Sequence, residues 1–377
     1  MLHLKDEDTS WFGAGKNEQD KIVLQDYGRY TNLMAERSAQ QRKVGRYPTL
    51  TSFVGQTGAG KSTLIRFLIE LQAPDIRDPQ VPVVGSVRNP DIPTSADVHL
   101  YCDPRTSGTE FPVLYADCEG LDVGTREPMG AKSRWRYKRE GSENEHKMNT
   151  PSFARHIQRT PNTSEREVLW ANTDEKRSRE YHVRHLYPRI LYTFSDVIVF
   201  VTKNPRVIEN VIDQLIQWAA AANETPSNQS VPPHAIIVLN VSDHGTDPKL
   251  WDVDNSTAAL LDSVSRAVQQ NHHFRKHADF WREKKRNIGS IQDLLSAYYS
   301  SSRVVRVPAK GWPLLINDQL GKLYKEITEA AKHVRVSKHR SRMLLNSDEL
   351  HPFAIRFRSL LSRSGRPFRF CPGFLRS

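Results

Sequence analysis

The chain has 377 residues, 38% hydrophobic and 26% charged, and its 54 lysines and arginines outnumber 43 acidic residues for a net charge of +11. Such a composition is that of a soluble protein with a full core, and the positive surplus favours anionic partners without choosing among nucleotide, membrane surface and nucleic acid. Three scattered cysteines, a charged start and apolar runs no longer than residues 197–201 exclude a disulfide framework, a signal peptide and a membrane span, so the expected location is cytoplasmic.

Residues 1–16 read as a polar, irregular lead-in. The apolar positions Ile22, Val23, Leu24, Tyr27, Tyr30, Leu33 and Met34 predict a helix over about 17–43, with Gly45 as its stop. An extended stretch follows at 47–54, then a helix from Thr63 with Leu64, Ile65, Leu68 and Ile69 at helical spacing. Five prolines between 73 and 96 bar any long element, which predicts a mobile loop. Residues 97–102 and 111–117 predict a hairpin. From about 125 to 180 the chain turns polar and basic and reads as a flexible surface insertion.

Beyond it, 182–194 predicts a helix broken at Pro188, followed by the β-rich run 195–202. Residues 207–218 form a helical pattern, 235–240 a buried-type strand, 257–268 and 274–299 helices, 302–308 a last strand, and 314–345 a long amphipathic helix. Strands alternating with helices predict an α/β fold: a doubly wound, mostly parallel sheet with helices on both faces and helical additions at both ends. The expected division is an N-terminal segment and helix at 1–45, a main domain at 46–312 and a C-terminal helix with a basic tail at 313–377. That tail, from His351 on, carries six arginines, no acidic residue and interleaved phenylalanines such as Phe357, which suits an anionic lipid surface, a protein partner or a solvated terminus.

The chemistry centres on Gly55-Gln56-Thr57-Gly58-Ala59-Gly60-Lys61-Ser62, a complete G-x-x-x-x-G-K-[ST] between an extended stretch and a helix that opens with Thr63. In such a loop the glycines let backbone N–H groups turn onto phosphate oxygens and the helix N-terminus adds its positive dipole end. Lys61 then reaches the β/γ-phosphates and Ser62 can ligate Mg²⁺. The stretch reads as a phosphate-binding loop and resembles that of the P-loop NTPase fold.

Further along, Thr94 stands in the proline-rich loop, Asp117-Cys118-Glu119-Gly120 closes an apolar strand, Asn240-Val241-Ser242-Asp243 closes another, and Pro308-Ala309-Lys310 follows the last. In this order the motifs resemble those of a GTPase of the Ras-like superclass over residues 46–312. Asp117-Cys118-Glu119-Gly120-Leu121 is similar to the D-T-E-G or D-T-Q-G of guanylate-binding proteins and atlastins. The resemblance implies GTP or GDP with Mg²⁺ as cofactors. Thr94 and Ser62 would lie on the metal, Asp117 behind it through a water, and the Gly120 N–H on the γ-phosphate. Asn240 would tether the phosphate loop, Asp243 would read guanine, and a backbone amide at Ala309–Lys310 would face the guanine oxygen. Lys61 and Thr94 are the implied catalytic pair.

Departures temper what the resemblance implies. Leu121 stands where a water-positioning glutamine would follow the glycine, Val241 replaces the lysine that covers the base, and Gln56, Thr57, Gly58 and Ala59 offer no arginine. Arg88, Arg126 or a partner's arginine could supply that charge. The expectation is a GTP-binding switch with slow Mg²⁺-dependent hydrolysis, and a homodimer across the nucleotide or another protein partner is compatible with it. Two alternatives stay open: a non-hydrolysing nucleotide-dependent scaffold and an ATP-using P-loop enzyme. The ABC type is excluded by the missing L-S-G-G-Q signature. His272, His273 and His277 include an i, i+4 pair but lack further ligand types at matching spacing, so surface histidines are expected there.

Overall fold

Runs rich in β-branched and aromatic residues build most of the nine described strands, the polar β6 excepted: β1 (Ser10–Lys16), β2 (Ile22–Asp26), β3 (Thr49–Gly55), β4 (Val98–Cys102), β5 (Val113–Cys118), β6 (Ser164–Glu167), β7 (Val197–Lys203), β8 (His234–Ser242) and β9 (Ser302–Pro308). The computed structural model describes residues 9–17, 19–35, 45–73, 79–84, 97–118, 120, 163–203, 208–223, 231–243, 245–265 and 270–364. Among them the strands form one sheet in the order β6-β2-β1-β4-β5-β3-β7-β8-β9.

This is an α/β protein with a large mixed sheet. The pairings β5–β3, β3–β7, β7–β8 and β8–β9 are parallel. Those of β6–β2, β2–β1, β1–β4 and β4–β5 are antiparallel, so the expected mostly parallel sheet is corrected to a sheet of two halves. The cause lies in the connections. A parallel pair needs a long crossover, whereas β1 reaches β2 by a short turn and β4 reaches β5 through residues 103–112, both compatible with antiparallel return. The hairpin expected at 97–117 is the β4–β5 pair.

In place of the helix predicted over about 17–43, the described part of that stretch holds the strand β2 and a short helix. Ile22-Val23-Leu24, an apolar run opened by two β-branched residues, pairs with Ala14–Lys16, and the turn between them is held by the Asn17 side chain, whose oxygen accepts from the Gln19 and Lys21 amides at 3.0 Å each. Gly28, at φ 74, then turns the chain into a helix of seven residues only, α1 (Arg29–Ala35), which buries Tyr30, Leu33 and Met34. Residues 10–16, expected to be irregular, are β1, with Trp11, Phe12 and Ala14 buried.

Eight longer helices among the described residues cover the sheet: α2 (Lys61–Gln72), α3 (Tyr187–Phe194), α4 (Ile208–Asn223), α5 (Val253–Ser263), α6 (His272–Glu283), α7 (Ile291–Tyr298), α8 (Pro313–Arg340) and α9 (Ser347–Ser364). Period-two alternation sends Ile198 and Phe200 of β7 to one core, with Leu191, Leu215, Leu294 and Phe357 from α3, α4, α7 and α9. Val197, Val199 and Val201 enter a second core with Leu64 and Leu68 of α2 and Leu323 and Ile327 of α8. Helices therefore lie on both faces. The expected break at Pro188 does not occur. A π-helical turn at His182–Leu186 runs into α3, and Pro188 occupies its first turn, where the missing N–H is not needed.

At the C-terminus the basic segment from His351 is partly corrected as well. It forms most of α9, with Phe357 and Arg358 buried and Arg358 in an ion pair with Asp26 of β2, so that arginine does not face an outside surface. Residues 365–377 lie outside the described part. Among the described residues no helix is long and apolar enough to cross a membrane.

Candidate functional site

Because β5, β3, β7, β8 and β9 run parallel, their C-terminal ends share one edge of the sheet. The register sets Phe53 beside Asp117, Gly55 beside Val201, Lys203 beside Asn240 and Ser242 beside Pro308. The segments that follow β3, β5, β8 and β9 therefore emerge at one level, about 4.8 Å apart per strand. This is where the motif residues of the described chain meet.

The loop 55–62 departs from β3 with Gly55 at φ 137, where a side chain would collide with the Val201 carbonyl, and enters α2 through Gly60 at φ 98. Only glycine accepts both the angles and the approach. Gly60 offers no side-chain cap, which leaves the first amides of α2 without an intrahelical acceptor and open to an anion. Lys61 is buried and folded back over the loop, its Nζ donating to the Gly55 carbonyl at 3.1 Å and the Gln56 carbonyl at 2.9 Å. The Gln56 carbonyl also accepts from the Ala59 amide at 3.2 Å. Gly58 is exposed, and Thr63 sits half-buried in the first turn of α2.

Ser62 donates from Oγ to Asp117 Oδ2 at 2.6 Å, so a hydroxyl of α2 and a buried carboxylate from the end of β5 form one oxygen pair beside the loop. Gly120 lies against Thr57; a side chain at 120 would collide with the Thr57 hydroxyl and backbone. Thr94, Ser86, Ser95, Glu119, Leu121, Arg88 and Arg126 lie outside the described residues.

On the other flank of the loop, Asn240 donates from Nδ2 to the Ala59 carbonyl at 2.7 Å, and a side chain on Gly60 would strike that same amide. Asn240 also accepts from the Val241 amide at 3.0 Å. Its aim comes from an irregularity in the β8–β9 pairing between Asn240 and Ser242, with Val241 in the left-handed region at φ 59. A β-branched residue there is strained by about 1–3 kcal/mol, which the surroundings must over-determine. Val241 is 42% exposed, and Asp243 just beyond is exposed with its carboxylate accepting from the Gly245 amide at 3.2 Å. The Ala309 amide donates to the Ser242 carbonyl at 3.0 Å. That bond fastens the loop after β9 to the loop after β8 and leaves exposed Lys310 at the rim.

Two features escaped the sequence. The contact of Gly120 with Thr57 joins residues far apart in the chain, and the strain at Val241 is invisible in residue type. β7 lies between β3 and β8, yet it is Asn240 from β8 that reaches the loop. His272 and His273 are exposed, and His277 is half-buried with Nδ1 3.3 Å from the Tyr298 hydroxyl. Burial lowers its basicity. Among the described residues no group of three or more His, Cys, Asp or Glu is placed to hold a metal. The Ser62–Asp117 pair suits an ion of a different habit: Mg²⁺ is held by one or two protein oxygens together with substrate phosphates.

No family model matches this chain, and no curated protein matches it. Among solved structures it is similar to the S. cerevisiae Ski7 GTPase-like domain, bound to GTP, with 13% identity and a TM-score of 0.25. The match covers 62% of this chain and 41% of that one. A TM-score that low carries no argument about either fold or ligand.

Proposed function

We propose that this protein is a cytoplasmic GTP-binding switch with a P-loop NTPase core of five parallel strands, and that it hydrolyses GTP slowly with Mg²⁺. The hydrogen bond from Asn240 to the Ala59 carbonyl carries the proposal, because it joins the phosphate-loop motif to the motif proposed to read the base. Loop amides and Lys61 would hold the phosphates, with Lys61 exchanging its two loop carbonyls for phosphate oxygens. Ser62 and Asp117 would hold Mg²⁺, which when bound neutralises phosphate charge. Thr94 would join them from its loop. Asp243 would accept from the ring N–H and the amine of guanine, its exposed carboxylate standing at the end of β8. Lys310 and Val241 would border the base.

Competition of GTP, GDP and ATP for a fluorescent guanine nucleotide on the purified chain tests base identity. GTP and GDP should displace the probe and ATP should not. Displacement by ATP at equal concentration overturns the guanine assignment. A non-hydrolysing scaffold is the second reading, favoured by Leu121 and by the arginine-free loop. Single-turnover phosphate release no faster than that of Lys61→Ala, with nucleotide still bound by the wild type, would establish the scaffold instead.

A further inference from the structure

The two ends of the phosphate loop meet different strands. Ala59 and Gly60 touch Asn240 of β8, whereas Thr57 touches Gly120 beyond β5, and the sheet order puts β5 and β8 on opposite sides of β3. A nucleotide whose base lies by β8 and β9 therefore runs its phosphate chain toward β5 and ends beside Thr57. There the Thr57 Oγ1 atom is buried and, among the described residues, has no hydrogen-bond partner. A buried hydroxyl in that condition is destabilising until an acceptor arrives. The backbone carbonyls just before it, of Gly55 and Gln56, are engaged by Lys61, so the loop's own acceptors are turned elsewhere.

We propose that Thr57 is a terminal-phosphate ligand: its hydroxyl donates to a non-bridging oxygen of the third phosphate and makes the site prefer nucleoside triphosphate to diphosphate. This rests on the nucleotide-binding function proposed above and adds a residue that the chemistry of that site had not assigned. A side chain at 120 would collide with the Thr57 hydroxyl and backbone, so the Gly120 backbone stands directly beside that hydroxyl.

The test compares equilibrium affinities of the full chain for a non-hydrolysable GTP analogue and for GDP, both with Mg²⁺. Thr57→Val removes the hydroxyl and keeps the branched shape; Thr57→Ser keeps the hydroxyl. Valine should weaken the triphosphate analogue about tenfold, the scale of one hydrogen bond to a charged group, and change GDP less than twofold. Serine should restore triphosphate affinity to within about threefold. An unchanged triphosphate-to-diphosphate ratio in Thr57→Val overturns the proposal, whether both affinities stay or both fall together. A wild-type chain that binds neither guanine nucleotide overturns the proposed function itself and this inference with it, so the two failures are told apart by the wild-type measurement.

Discussion

The two halves of the sheet differ in what they carry. The parallel half, β5-β3-β7-β8-β9, ends in every described candidate site residue, while the antiparallel half, β6-β2-β1-β4, carries none of them. The parallel half is sealed by helices on both faces, most of them drawn from the chain between its strands, with Phe357 of α9 joining one of its cores. By contrast the antiparallel half is held from the far end of the chain. Arg358 of α9 pairs with Asp26, Arg166 of β6 donates to the Ser359 hydroxyl at 3.2 Å, and Trp170 donates to the Leu361 carbonyl at 2.8 Å. One half is thus organised by local motifs on parallel strands, and the other by contacts that close the chain on itself.

Breaking the closure should have the largest effect. Side chains of Asp26 and Arg358 are only about 5–6% exposed, so Arg358→Ala leaves an uncompensated buried carboxylate and should cost about 3–5 kcal/mol in urea unfolding. Replacing the pair with Asp26→Leu and Arg358→Met together should recover most of it. Nucleotide affinity within twofold of wild type in the single variant at low temperature would show that the halves are separable, and its loss in step with stability would show one cooperative unit.

Next, Lys61→Ala should lower nucleotide affinity about 100-fold by isothermal titration without a comparable loss of β1–β2 amide protection, since its ammonium donates to the loop carbonyls of Gly55 and Gln56, away from that hairpin. Asn240→Ala removes the tether to Ala59 and should weaken nucleotide about tenfold. Of similar or smaller size is Val241→Gly, which relieves the left-handed β-branched residue. It should raise the unfolding free energy by about 1 kcal/mol, with the opposite sign to every other change in this loop.

The smallest effect is one of pH, at the opposite edge of the parallel half. His234 at the start of β8 contacts Ser301 through Nδ1 and His333 of α8 through Nε2 at 3.1 Å, and the Asp196 carboxylate that receives Lys338 lies nearby. Burial first, and then His333, push His234 down to about 4 from an ordinary 6.5. The unfolded chain therefore binds the extra proton first, and stability falls as pH drops from about 6.5 to about 4, with no contribution above that window. His182, also near 4 through burial and then Arg179, acts in the same direction. His234→Gln should flatten the pH dependence of the urea midpoint, and a slope identical to wild type would remove His234 from the account.

The shape of the loop at 55–62 was legible in eight consecutive residues because it is local: the glycine angles, one ammonium and one hydroxyl all lie within a turn of each other. For the same reason β7 and β8 were legible, since continuous apolar runs have few other places to go. The N-terminal hairpin was not. Ile22, Val23 and Leu24 satisfy a helical stripe as well as a strand, and the choice is made by β1 and β6 on either side. Likewise the bond from Asn240 to Ala59 spans 181 positions and the pairing of Asp26 with Arg358 spans 332. Residue types set which groups could bind phosphate. Which of them stand together follows from strand order and register, because a contact between distant positions depends on how the whole sheet is paired and leaves no periodic trace in the chain.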